Sequence, residues 1–128
     1  MKINLLVSGG IFSQQSGYSA WQFCQAALQS GHQISQVFFH QDGVTQGTSL
    51  SDSPSDEFDM LTAWSDLEQQ GVALVVCVSA AERRGVLSQE QATELGIEQY
   101  NLHEAFKIAG LGVLHEASLD ADRTVTFK

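Results

Sequence analysis

Gly71-Val72-Ala73-Leu74-Val75-Val76-Cys77-Val78-Ser79-Ala80-Ala81-Glu82-Arg83-Arg84-Gly85 is the stretch that decides the fold class. Val72 to Val78 is short, continuously apolar and rich in β-branched residues. That composition predicts a strand covered on both faces, as in a parallel sheet flanked by helices. Ser79-Ala80-Ala81-Glu82 has the spacing of a capping box, serine with glutamate three residues on, so a helix is predicted to begin at Ser79. Cys77 then falls where a strand hands over to a helix. That is the carboxyl edge of an open α/β sheet, where such folds place ligands and chemistry.

Two readings of Cys77 stand side by side. Cysteine is among the most buried residue types, and within a valine-rich run it serves as small core filler. Against that, a thiol beside a helix start meets unpaired N–H groups, and Arg83 and Arg84 follow closely. Such surroundings favour thiolate, the reactive form. Strand alternation does not choose between the two, because both faces of the run are apolar.

Working outward, the 128-residue chain is long enough for one domain with a real core. Hydrophobic residues make up 43% and charged residues 16%, the balance of a folded globular protein. No apolar run approaches a membrane span. Met1 to Val7 is too short and too soon interrupted for a signal peptide, and it reads as a first strand. The formal charge of −9 argues against direct, phosphate-driven binding to nucleic acid, which needs lysine and arginine. The two cysteines, Cys24 and Cys77, form no C-x-x-C pair, which argues against a zinc site or a thioredoxin-like motif. Reduced thiols in the cytoplasm fit best.

Along the chain, Ile3 to Val7 is followed by Ser8-Gly9-Gly10 and a loop to Gly17. These glycines do not make G-x-G-x-x-G and no Walker lysine accompanies them, so a tight turn is the expectation. Tyr18, Trp21, Cys24, Ala27 and Leu28 recur at helical spacing, with Gly31 as terminator, and they place Cys24 in the core. Gln33 to Phe39 is a second strand, and His40 to Asp52 a polar connection long enough to suggest a role. His40 lies at the end of that strand, near the edge that holds Cys77. It reads as a surface residue first and a base second. Ser53-Pro54 looks like the start of a second helix, whose buried face is Met60, Leu61, Trp64 and Leu67. Ser88 with Gln91 opens a short helix ending at Gly96. Asn101 with Glu104 also resembles a helix cap, but the βαβ rhythm asks for a strand over Phe106 to Ala109. Val113 to Ala121 then makes the last helix and Arg123 to Phe127 the last strand.

With those residues in view, the sequence resembles the DsrE/TusD branch of the DsrE-like sulfur-relay family. The likeness is carried by Gln14-Gln15, Ser19-Ala20-Trp21-Gln22-Phe23, Gly31-His32, Val37-Phe38-Phe39 with Asp42-Gly43-Val44, and Ser55-Asp56-Glu57-Phe58-Asp59 with Ala63-Trp64. It continues through Cys77-Val78-Ser79-Ala80-Ala81, Arg83-Arg84-Gly85-Val86, Gly110-Leu111-Gly112, Glu116-Ala117-Ser118-Leu119 and Asp122-Arg123. Each match is short, and their order and spacing make them specific. The resemblance implies one DsrE-like domain over residues 1–128: a mostly parallel, five-stranded α/β sheet with helices on both faces, in a flavodoxin-like arrangement.

It also implies a sulfurtransferase subunit whose Cys77 accepts persulfide sulfur, with Ser79, Arg83 and Arg84 as supporting residues and no cofactor or metal. The implied partners are two related subunits, TusB-like and TusC-like, in a heterohexamer, an upstream TusA-like donor and a downstream TusE-like acceptor. The implied end product is 2-thiouridine at the tRNA wobble position. Dissimilatory sulfur oxidation, a non-catalytic scaffold role and a flavodoxin-like ligand binder are the alternatives. His40 stands where the family carries an aromatic residue, which weighs against a general base.

Overall fold

A computed structural model describes residues 1–128. The elements run β1 (Lys2–Val7), α1 (Ser16–Gln29), β2 (Gln33–Phe39), a 3-10 helix (Gln41–Gly47), α2 (Met60–Gln69), β3 (Ala73–Cys77), α3 (Val78–Arg83), α4 (Gln89–Glu94), β4 (Phe106–Ala109), α5 (Leu111–Asp120) and β5 (Arg123–Phe127). The five strands form one sheet in the order β4-β3-β2-β1-β5. Every pairing is parallel, so the sheet is fully parallel where a mostly parallel one was expected.

The topology follows from connection handedness. The chain steps from β1 to β4 in one direction and then returns across the sheet to β5. Right-handed crossovers place the helices of the first steps on one face and α5 on the other. Aromatic contacts fix the first face. Phe127, Val7, Phe39 and Val76 share one row of the sheet. Phe23 of α1 meets Phe127 at 5.7 Å and Trp64 of α2 meets Phe39 edge-on at 5.1 Å. Leu5, Val7, Val37, Phe39, Leu74 and Val76 are buried beneath these helices, as a sheet covered on both faces requires.

Three local expectations are corrected. The second helix begins at Met60, not at Ser53-Pro54. Asp59 caps it by accepting from the Thr62 backbone N–H at 3.2 Å and the Thr62 hydroxyl at 3.0 Å. Pro54 instead opens a turn closed by Glu57 N–H to Pro54 O at 2.9 Å. The polar connection after His40 folds as a 3-10 helix with Gly43, Val44, Gln46 and Gly47 buried. At Gly43 the backbone approaches β1 so closely that a Cβ would lie 2.2 Å from Val7 O. The last helix starts at Leu111, two residues before the expected Val113, with Gly110 in the cap position.

The box at Ser88 is as read: its side chain accepts from Gln91 N–H at 3.2 Å, and Gln91 Oε1 accepts from Ser88 N–H at 2.9 Å. Asn101 is no helix cap. Its side chain accepts from Leu87 N–H at 2.8 Å and donates to Gly85 O at 2.9 Å and Thr48 Oγ1 at 3.2 Å. It staples the β3–β4 connection to the segment after β2. No helix is long and apolar enough to cross a membrane.

Candidate functional site

Cys77 is the last residue of β3 and itself occupies the cap position of α3. The capping box expected at Ser79 does not form. Cys77 takes the cap position two residues before Ser79 and the helix begins at Val78, which puts Ser79 inside the first turn with no cap bond, while Glu82 accepts from the Gln91 amide at 3.0 Å. The strand passes into the helix without a spacer, and this displacement brings Cys77 to the handover itself. Its backbone stays extended, at φ −64 and ψ 122.

The thiol is 1% exposed, so the chain on its own keeps it closed to solvent. Its polar side-chain partner is Ser79, with Sγ to Oγ at 3.9 Å. The arginines stand apart from this contact. Arg84 donates from Nε to Asp42 Oδ1 at 2.9 Å and from its guanidinium to Ala80 O at 3.2 Å, tying the end of α3 to the 3-10 helix. Arg83 is exposed at the end of α3. The structure thus brings Ser79 to Cys77 and directs Arg84 elsewhere.

Cys24 lies midway along α1, fully buried in the core. Burial pushes its thiol up to about 12, which keeps it protonated and unreactive at neutral pH. The two cysteines therefore differ in place: one is enclosed beneath a helix, the other stands at the carboxyl edge of the sheet.

That edge also carries a cleft of about 530 Å³ with no apolar wall, lined by Ser8, Gln14, Gln41, Asp42, Arg84 and Lys128. Its walls come from the ends of β1, β2, α3 and β5, and Cys77 is not among them. In the 3-10 helix, Gln46 is 1% exposed; it accepts the indole N–H of Trp64 at 3.1 Å and donates to Gly9 O at 3.2 Å. Sequence reasoning missed Gln46, because a glutamine in a polar run gives no sign of burial.

Comparison with known proteins agrees with this fold. The profile of the DsrE/DsrF-like family matches residues 1–127. A protein of Vibrio parahaemolyticus named as a sulfurtransferase TusD homolog is 50% identical over 124 residues, covering 96% of this chain and 95% of that protein. Sulfurtransferase TusD of Klebsiella pneumoniae is 46% identical over 128 residues, covering 99% and 100%. The crystal structure of the ychN protein from E. coli superposes with a TM-score of 0.78 at 22% identity, covering 99% of both chains, and shows the same fold. The chain belongs to the DsrE/DsrF-like family, and within it to the sulfurtransferases.

Proposed function

We propose that this sulfurtransferase carries its sulfur on Cys77 as a persulfide. The supporting observation is the contrast between the two cysteines: Cys24 is held protonated in the core, and Cys77 ends a central strand at the carboxyl edge. A Cys77 thiolate attacks the outer sulfur of a donor persulfide. That sulfur's bond to the donor breaks, the donor cysteine leaves as thiolate, and a new S–S bond forms on Cys77. An acceptor thiolate then takes the outer sulfur and Cys77 leaves as thiolate. A stabilised thiolate serves both as nucleophile and as leaving group. Ser79 Oγ, at 3.9 Å, is the neighbour placed to hydrogen-bond the sulfur. The arginines act by holding α3, in the case of Arg84, and by meeting a partner, in the case of Arg83. Because the thiol is 1% exposed, transfer requires the strand-to-helix handover to open.

The donor in this proposal is a TusA-like carrier and the acceptor a TusE-like one, working in the cytoplasm toward 2-thiouridine at the tRNA wobble position. The TusD names of the near-full-length relatives favour this route over sulfur oxidation. The −9 charge fits a subunit that reaches tRNA only through partners. Assembly with TusB-like and TusC-like subunits is supported by α5, which buries none of its residues and exposes Leu111 at 51% and Leu119 at 74%.

Intact mass after incubation with a persulfide donor tests the central claim. The wild type and Cys24→Ser gain the mass of one sulfur atom, and Cys77→Ser gains none. A sulfur-loaded Cys77→Ser protein overturns the assignment.

A further inference from the structure

His40 directly follows β2, and its backbone, at φ −130 and ψ 159, continues the strand geometry. The neighbouring strand is β3, paired in register as Phe38 with Val75 and Phe39 with Val76. One step further along both strands stand His40 and Cys77. Side chains alternate across a strand, so His40 lies on the face of Phe38, and Cys77 on the face of Val75. Those are the same face, opposite Phe39 and its partner Trp64. The histidine and the cysteine are therefore neighbours at the ends of adjacent strands.

The ring of His40 carries an anomaly at this same edge. Its Nδ1 is buried and has no hydrogen-bond partner. An orphaned buried nitrogen is costly and calls for an explanation. Cys77 is a buried thiol whose one side-chain hydrogen-bond partner is the Ser79 hydroxyl at 3.9 Å. Charged groups on the neighbouring elements are paired or exposed. Asp42 and Arg84 are paired with each other, Asp120 of α5 is paired with Lys2, and His115 and Glu116 of α5 are exposed.

The geometry points to His40 as the proton partner of Cys77. This rests on the reading of Cys77 as the sulfur carrier. His40 Nδ1 takes the thiol proton as Sγ attacks the outer sulfur of the donor. The donor S–S bond breaks, the new S–S bond forms on Cys77, and the proton passes from the imidazolium to the departing donor thiolate. On delivery, His40 takes the acceptor thiol's proton and returns it to the leaving Cys77. No net oxidation or reduction occurs. The two groups are not hydrogen-bonded in the resting structure, and catalytic hydrogen bonds of this kind often tighten only when the reactant is bound.

The test is single-turnover sulfur loading from glutathione persulfide across a range of pH, read by intact mass. His40→Gln is expected to slow loading at neutral pH by about tenfold or more. The pH profile of loading should change with it, because the thiol then gives up its proton with no imidazole to take it. Added imidazole should restore the rate of His40→Ala in part. A His40→Gln protein that loads at the wild-type rate with the wild-type profile overturns the proposal, provided Cys77→Ser does not load. Loading of Cys77→Ser instead overturns the sulfur-carrier reading beneath it. Should the His40 variants fail to fold, the ring ¹⁵N resonances of His40 are compared between wild type and Cys77→Ser. Different titration midpoints support the pairing, and identical ones overturn it.

Discussion

Gln46 Oε1 accepts the indole N–H of Trp64 at 3.1 Å, and both side chains are buried. The same glutamine donates to Gly9 O at 3.2 Å, so one amide joins the 3-10 helix, α2 and the β1–α1 loop. Gln46→Leu leaves the Trp64 N–H and the Gly9 carbonyl unpaired inside the protein. The expected loss is about 1–3 kcal/mol, the cost of stranding buried polar groups. Urea unfolding checks it through a lower midpoint at unchanged slope. A midpoint equal to wild type would show that water or a local shift replaces the amide.

Cys24 makes stability depend on alkaline pH. Burial raises its thiol from the ordinary 9.0 to about 12, so the folded chain holds this proton more tightly than the unfolded chain. Its contribution is complete below pH 9.0 and is lost as the pH rises toward about 12. Within that window this group lowers stability by at most about 1.4 kcal/mol per pH unit. Cys24→Ala, although less stable at neutral pH for want of the sulfur, should show a shallower decline. Unfolding free energies of the two proteins across the window decide it, and parallel slopes would refute the assignment.

Asn101 ties two separate segments together through three bonds, with Leu87 N–H and Gly85 O on one and Thr48 Oγ1 on the other. Asn101→Ala removes all three bonds and leaves the Leu87 N–H without its partner. A destabilisation of about 1–3 kcal/mol is expected. Faster proteolysis between Gly85 and Asn101 should accompany it. Cleavage at the wild-type rate would mean that the α4 capping box holds this segment unaided.

The Arg84–Asp42 pair is conspicuous in the structure and should matter little to stability. Arg84 is 32% exposed and Asp42 69%, so solvent screens the attraction. Asp42→Ala should shift the unfolding free energy by less than about 1 kcal/mol. Its effect should fade as salt is added. A larger, salt-insensitive loss would mark the pair as part of a tighter network around α3.

Much of the fold was legible because its signals are local. The Val72–Val78 run, the Ser88–Gln91 box and the Arg123–Phe127 strand each carry their own pattern, and each element formed where that pattern placed it, within a residue or two. The failures share a cause. Ser79-Ala80-Ala81-Glu82 and Ser53-Pro54 both satisfy a capping rule, but a stronger competitor stood nearby. Cys77 ended the strand without a spacer, and Asp59 offered a carboxylate directly before the apolar face of α2. The bonding roles of Asn101 and Gln46 were overlooked because their partners lie far away in sequence, at Thr48 and Leu87 for one, Gly9 and Trp64 for the other.

The sequence by itself determined the parallel α/β class, the core status of Cys24 and the family, because apolar periodicity and ordered short motifs survive without coordinates. Only the tertiary structure decided that Cys77 is buried at the strand-to-helix handover, that Arg84 turns to Asp42, and that the register of β2 with β3 puts His40 one step past Phe39 on the face of Cys77. Those facts depend on strand register and side-chain direction. An apolar run is compatible with either face, and a shift of one residue reverses every side chain along it.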